Sequence, residues 1–391
     1  MELGFVRAAE LDAERLLTVP VVGPVRAVPH PVVVGRSDLP TADAAFPEVN
    51  DYPELVVDEL RNVVLLPRHV ILDPGMLNVV SSSFKKTPRQ RHFGLEHHGR
   101  RRYSLAGPNL SGPETVVEQP VYYLDCEFPD VYGHNLLEVW TQTWALPLLE
   151  RDDLLFATSI RLRPYVVQVL AHLGVPVERI LPIGGPLRCR RLLVPSPAVR
   201  ARRYVHPICR DVFNRIAELG AGELAQRRAR RIGPQIYVSR LGSAERALTN
   251  EAELQLLASR AGLRPFRPQE HDIAIQLAVF SQAEKIVGPG GSGMHNVVFA
   301  SPGSQALLMS STSWFTVVDA LLALDRYRLG YVFGEPDEVG MRGKRSRGDY
   351  SVAPELFVEG LQQFLGRTPV SALRSGLRRI GRRWSGFSGH R

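Results

Sequence analysis

Glu284-Lys-Ile-Val-Gly-Pro-Gly-Gly-Ser-Gly-Met-His-Asn-Val-Val-Phe-Ala300 is the stretch on which the fold turns. Ile286 and Val287 form a short apolar run that breaks into Gly288, Gly290, Gly291 and Gly293, and apolar chain resumes at Met294, Val297, Val298 and Phe299. The pattern predicts a strand, a tight glycine loop and the first turn of a helix. Glycine lacks a Cβ, so it permits positive φ and lets a ligand approach the backbone closely. A helix start behind such a loop presents unpaired N–H groups and the positive end of a dipole, which suits a phosphate. The same glycines also suit a plain turn, so the rest of the chain decides.

Working outward, the neighbouring segments alternate between strand and helix. On the amino-terminal side come a strand at Gln235–Arg240, a helix at Glu251–Gly262, a strand near Pro265 and a helix at Asp272–Ala283. On the carboxyl-terminal side come a strand at Gln305–Ser310, a helix at Thr316–Asp325, a strand at Tyr331–Gly334 and a last helix at Pro354–Leu365. Earlier in the chain, Val121 opens a similar series: strand, helix (His134–Arg151), strand, then helix (Arg163–Gly174). Such alternation indicates α/β sheets with covering helices. Residues 1–60 read as short strands and loops, and Asp73-Pro-Gly75 as a turn. A long helix is expected over His206–Arg228, with a domain boundary after it at Gly233-Pro234.

The expected organisation is therefore an α/β protein of two Rossmann-like domains facing a cleft, residues 1–232 and 233–366, with a basic tail at 367–391. Ligands of such sheets sit at the carboxyl ends of the strands. A chain of 391 residues suits two domains, since single cores rarely grow past about 250–300 residues.

Charge narrows the classes further. The net charge of +8 is concentrated in the tail, where Arg367, Arg374, Arg378, Arg379, Arg382, Arg383 and Arg391 meet no acid. The body is near neutral, which argues against a general nucleic-acid surface. In the tail, Val370, Leu373, Leu377, Ile380 and Trp384 fall on one helical face and arginines on another. That is the pattern of a helix lying in an anionic membrane interface; a packed helix and a disordered basic tail fit it too. Cys126, Cys189 and Cys209 are too few for a disulfide framework and lack metal-ligand spacing. With neither a secretory signal pattern nor an apolar span, the expected location is cytoplasmic, peripheral at the inner membrane face if the tail docks there.

Four patches carry candidate chemistry. Asp125-Cys-Glu127-Phe-Pro-Asp130-Val-Tyr-Gly-His134-Asn-Leu-Leu-Glu138 places acids and a histidine at a strand-to-helix junction. His134 and Glu138 are i,i+4 on one face, so the carboxylate can orient the imidazole as a base toward a hydroxyl. Asp125 and Glu127 are rival bases, and a capped, hydrogen-bonded core histidine is the plainer reading. In the second patch, Arg240 at a strand end and Arg246 in the following loop can clamp a diphosphate, ahead of a helix capped by Thr249 or Asn250. Two surface arginines fit equally. In the third, Glu270 just past a strand can accept ribose hydroxyls or cap a helix.

The fourth patch is the loop itself, with Gly290, Gly291, Ser292, Gly293, His295 and Asn296 as ligand contacts. Gly288, Gly290 and Gly293 match G-x-G-x-x-G, but the acid expected about 20 residues on is missing; the strand end reads Leu307-Leu-Met-Ser-Ser311, and the next acid is Asp319. The loop also follows a late strand of its domain. A nucleotide-dependent oxidoreductase is disfavoured on both grounds.

In order and spacing these patches resemble glycosyltransferase family 61. The carriers are Tyr132-Gly-His134-Asn-Leu-Leu-Glu138, Ser239-Arg240, Arg246-Ala-Leu-Thr-Asn250-Glu251, Gln276-Leu-Ala-Val-Phe-Ser-Gln-Ala283 and Ile286 through Asn296, within a span from about Val64 to Leu308. The resemblance implies a GT-B-like architecture, a nucleotide-sugar donor on the C-terminal domain and a glycan or lipid-linked glycan acceptor facing the N-terminal one. It implies inversion at the anomeric carbon without a metal or other cofactor, as in capsular polysaccharide biosynthesis. Donor contacts would fall on Arg240, Arg246, Asn250, Glu270 and the loop, and the base on His134, with Glu138 or Asp125. The family carries a histidine two residues after the loop's first glycine, where this chain has Gly290. That departure keeps a second reading in view, a catalytically inactive glycan-binding or scaffold member of the same fold.

Overall fold

The computed structural model describes residues 2–21, 26–27, 31–34, 49–81, 95–98, 102–105, 115–242, 246–311, 317–323, 326–336 and 348–365. The basic tail, expected as a membrane helix, lies outside the described residues. The chain forms two compact units, one of Met1–Pro24, Asp51–Arg200 and Tyr204–Ile216, the other of Val25–Asn50, Ala201–Arg203 and Ala217–Arg391. Among the described residues, no helix is long and apolar enough to cross a membrane.

The first unit is built on a mixed sheet. Its long strand Leu55–Leu66 pairs antiparallel with Leu187–Pro195, in register from Leu65↔Leu187 to Val57↔Pro195. Ala13–Val19 and Val70–Leu72 also pair antiparallel with that long strand. Beyond Leu187–Pro195 the sheet turns parallel: Val121–Tyr123, then Leu155–Thr158, then Ile180–Pro182. The inner parallel strand Val121–Tyr123 is apolar on both faces, as burial on both sides requires, and Val121, Tyr123, Ala157 and Leu192 join Leu60, Val63 and Leu65 in one core. The expected α/β class is therefore present with parallel strands, but this sheet is half antiparallel rather than the uniform parallel sheet of a Rossmann-like domain.

The expected helix over His134–Arg151 is present as a broken rod. It begins at Tyr132, passes through a π-helical turn at Asn135–Val139 and a 3-10 segment at Trp140–Ala145, and ends with Leu146–Leu149. The Trp140 N–H reaches back to the carbonyl of Asn135, the five-residue bond of a π turn. Single π turns of this kind concentrate at functional sites.

The second unit centres on a parallel sheet in the order Arg264–Phe266, Gln235–Val238, Lys285–Pro289, Ser304–Ser311, Tyr327–Pro336. Two further strands lie against the last of these. Tyr350–Ser351 pairs antiparallel with it, and Val32–Val34, from far back in the chain, pairs parallel with it at Gly330↔Val32. Helices Glu251–Arg260 and Pro354–Leu365 bury Leu254, Leu257, Phe357 and Leu361 against Val287, Leu307 and Val332. Full burial of one such side chain contributes about 1.5–3 kcal/mol.

The long helix expected over His206–Arg228 is two helices, Cys209–Glu218 and Glu223–Ile232, broken at Leu219–Ala221. Packing explains the break: a Cβ at Gly220 would lie 2.7 Å from the backbone nitrogen of Ala278. The chain must pass the helix Ile273–Gln282 at backbone contact there. The second of the two helices is fixed to that same helix by a Gln282 Nε2 donation to Gln226 Oε1 at 2.6 Å. It therefore belongs to the second unit, upstream of the boundary expected at Gly233.

Candidate functional site

In the first unit, three loops converge on one carboxylate. Asp125 follows the strand Val121–Tyr123, Ser159 follows its parallel neighbour Leu155–Thr158, and Arg68 and His69 form the turn between Leu55–Leu66 and Val70–Leu72. Asp125 Oδ1 accepts from the Ser159 N–H at 3.0 Å and the Ser159 hydroxyl at 2.6 Å, while Oδ2 accepts from the His69 N–H at 2.9 Å. Ser159 Oγ in turn accepts from the Arg68 N–H at 3.1 Å. His69 Nδ1 lies 2.8 Å from the carbonyl oxygen of Asp125. A carbonyl only accepts, so Nδ1 carries the hydrogen.

Arg68 and His69 both hold positive φ, 65° and 66°, which is costly for residues with a side chain and persists only where neighbours over-determine it. Asp125 supplies that determination. It is wholly buried, and burial pushes its carboxyl up to about 6 in spite of the bonds from Ser159 and His69 that favour the charged form. Sequence spacing could not reveal His69 or Ser159, because each lies in a loop beside a different strand from the one Asp125 follows.

The base candidate has the geometry read from its spacing. His134 Nδ1 lies 3.1 Å from Glu138 Oε2, with the side chains 35% and 15% exposed. An ionised carboxylate only accepts, so Nδ1 donates and Nε2 is the nitrogen able to take a proton. The ring of Phe128 packs on the imidazole at 4.8 Å, and the buried Asn135 that follows opens the π turn. Glu127 is buried close to Asp125 in sequence.

In the second unit, the candidate residues gather at the carboxyl ends of three adjacent parallel strands. Arg240 lies two residues past the strand Gln235–Val238. Its backbone N–H donates to Glu251 Oε1 at 2.6 Å, and the Ser239 hydroxyl donates to the same oxygen at 3.2 Å. Glu251 is buried and its carboxyl is raised by desolvation, against the opposing bonds from Arg240 and Ser239. The Arg240 side chain crosses to the glycine loop, where Nη1 donates to the Gly290 carbonyl at 2.8 Å.

The loop follows Lys285–Pro289 and is tied down by the Gly290 N–H to Met309 O at 2.6 Å and the Met294 N–H to Gly291 O at 2.8 Å. Gly291 has φ 143°, and a Cβ there would lie 2.8 Å from Arg240 Nη1. The loop then enters a 3-10 turn, Met294–Phe299, rather than an α-helix. Ser292 and Gly293 keep partial exposure, while Asn296 is buried. His295 Nδ1 meets Asp319 Oδ1 at 2.8 Å. Asp319 opens the helix after the next strand, Ser304–Ser311.

Other expected donor contacts are placed elsewhere. Asn250 engages backbone, donating to Val352 O at 2.8 Å and accepting from the Val352 N–H at 3.2 Å. Glu270 is exposed and pairs with Arg267 at 3.0 Å. Arg246 is half-buried at φ 52° in the loop after Arg240. A recess of about 680 Å³, lined by Glu284, Lys285, Ser304, Gln305 and Arg328 among others, opens at the amino ends of these strands, the opposite end from the glycine loop.

With this geometry in view, comparison with protein families finds that part of the chain is similar to a glycosyltransferase family. The family model described as Glycosyltransferase 61 matches residues 132–307, which supports assigning the chain to glycosyltransferase family 61. The matched span takes in His134, Glu138, Arg240, Glu251, the glycine loop and His295, and stops short of Asp319. A comparison with curated proteins finds no match.

Proposed function

We propose that the chain is an inverting glycosyltransferase that moves a hexosyl or pentosyl group from a nucleotide sugar to a glycan or lipid-linked glycan, in surface polysaccharide biosynthesis. The observation that carries the reading is the gathering of Arg240, the glycine loop and His295 at the carboxyl ends of adjacent parallel strands, the edge where α/β sheets bind ligands. The division of labour is GT-B-like: the second unit takes the donor and the first takes the acceptor. Arg240 and Arg246 hold the diphosphate as fork-shaped donors, the role a metal plays elsewhere. His134, oriented by Glu138, removes the proton of the acceptor hydroxyl as it attacks the anomeric carbon. Asp125, whose oxygens already accept three bonds, is better suited to fixing the loops than to serving as the base. The basic tail would hold the protein at the cytoplasmic membrane face beside a lipid-linked acceptor.

The test is binding and turnover across a panel of nucleotide sugars, wild type against Arg240→Ala. Selective binding with Arg240-dependent release of nucleotide supports the transferase and names its donor. One observation favours a second reading: Gly290 stands where the family carries a histidine, as in a member that retains the fold and binds glycan without turnover. Donor binding with no nucleotide release would select that reading.

A further inference from the structure

The loops after two neighbouring strands meet in the His295–Asp319 contact. His295 stands two residues past Gly293, at the carboxyl end of Lys285–Pro289, and Asp319 follows the adjacent parallel strand Ser304–Ser311. Their side chains are 12% and 9% exposed, with Nδ1 and Oδ1 2.8 Å apart. A carboxylate accepts, so Nδ1 carries a hydrogen and Nε2 is the nitrogen that exchanges protons. Around the pair, Tyr327 donates its hydroxyl to the Asp319 carbonyl at 3.2 Å, and the buried Tyr331 feels the Asp319 charge. Arg240 closes the same edge from the strand on the far side of the glycine loop, permanently charged and unable to deliver a proton. Gly290 contributes no side chain. His295 thus brings to this edge a ring nitrogen, Nε2, that Asp319 leaves open for proton exchange.

We propose that His295, held by Asp319, is the proton donor to the departing nucleoside diphosphate; this rests on the transferase reading above. In the step, the bond between the anomeric carbon and the phosphate oxygen breaks, and its electron pair goes to that oxygen. The oxygen takes the proton from His295 Nε2. The acceptor oxygen forms the new bond to the anomeric carbon and gives its proton to His134. His295 then regains a proton from solvent and His134 releases one, so the cycle balances. Asp319 is a positioning residue, fixing the imidazole through Nδ1.

The experiment measures donor affinity and saturating turnover separately for wild type, His295→Gln and Asp319→Asn, with folding checked by thermal melts. The proposal expects donor Kd within about threefold of wild type and kcat lowered about 100-fold or more in His295→Gln, within the range of general acid–base contributions. In Asp319→Asn kcat falls while donor Kd and melting temperature hold, a split that a purely structural carboxylate would not cause. Weaker donor binding with unchanged kcat overturns the proposal, leaving His295 a phosphate contact. Variants indistinguishable from wild type overturn it as well. Wild type that binds donor but releases no nucleotide overturns the proton transfer, whereas wild type that binds no nucleotide sugar overturns the transferase reading and this step with it.

Discussion

Arg240 and Gly290 are joined by a hydrogen bond of 2.8 Å from guanidinium Nη1 to the backbone carbonyl, which lays the arginine along the glycine loop. The next residue, Gly291, has φ 143° and no room for a Cβ beside that guanidinium. Gly291→Ala should therefore strain the backbone by about 1–3 kcal/mol and push Arg240 out of place. Gly293→Ala is the control, because its φ is −66° and a Cβ there meets only Val238 Cγ1 at 3.7 Å. Thermal melts should show loss for the first and little change for the second. Equal behaviour of the two would refute the assignment of Gly291 as the constrained position.

Glu251 sets the other end of Arg240. Removing its side chain leaves the Arg240 N–H and Ser239 hydroxyl without their acceptor, a loss of about 1–3 kcal/mol for buried groups. Glu251→Ala should lower stability by that amount and weaken donor binding, although the residue is buried. Glu251→Gln keeps one carbonyl oxygen and should recover most of both. Chemical denaturation beside a binding isotherm checks the pair, and donor affinity untouched in the alanine variant would separate Glu251 from the site.

Asp125 makes stability depend on pH in a defined direction. Its folded value of about 6 lies above the ordinary 3.8, so the unfolded chain gives up the proton first. The stabilising contribution is complete below about pH 4 and is lost as pH rises through about 6, on the order of 3 kcal/mol for a shift of about two units. Asp125→Asn cannot titrate. The stability difference between wild type and this variant, from urea melts, should favour wild type more at pH 4 than at pH 7. A difference that does not change between those two pH values would contradict the shift.

His134→Ala should bind donor as wild type does but lose turnover by about 100-fold or more, the usual scale of general-base catalysis. Glu138→Gln keeps the shape yet removes the charge that orients the imidazole, so its loss should be smaller. Steady-state kinetics with a measured donor Kd decides this. Retained turnover in His134→Ala would remove His134 as the base.

The fold was legible where one segment carries the whole signal. Helix Pro354–Leu365 has the limits read from its sequence, and the glycine-loop strand declares itself through Ile286, Val287 and the glycines after them. The broken rod at Tyr132–Leu149 was not legible as such, because the π turn at Asn135 leaves its apolar pattern helix-like. Gly220 looked like an ordinary residue in a long helix until its contact with the Ala278 backbone was known. The same distinction holds for the site. His134 and Glu138 are four residues apart and could be paired by counting, whereas His295 with Asp319, and Asp125 with His69 and Ser159, are brought together only by strand order.

The pairing of Val32–Val34 with Tyr327–Pro336 has a consequence for how the polypeptide is made. On a ribosome, the early strand emerges roughly 300 residues before its partner, since non-local pairings of this kind are slow and leave strand edges open in the interim. The second unit can finish folding only after nearly the whole chain has been translated. A fragment starting at Ala217 would lack that pairing and bare one side of Tyr327–Pro336, an invitation to edge-to-edge aggregation. Expression of the second unit alone is thus better attempted with residues 25–50 grafted back onto it.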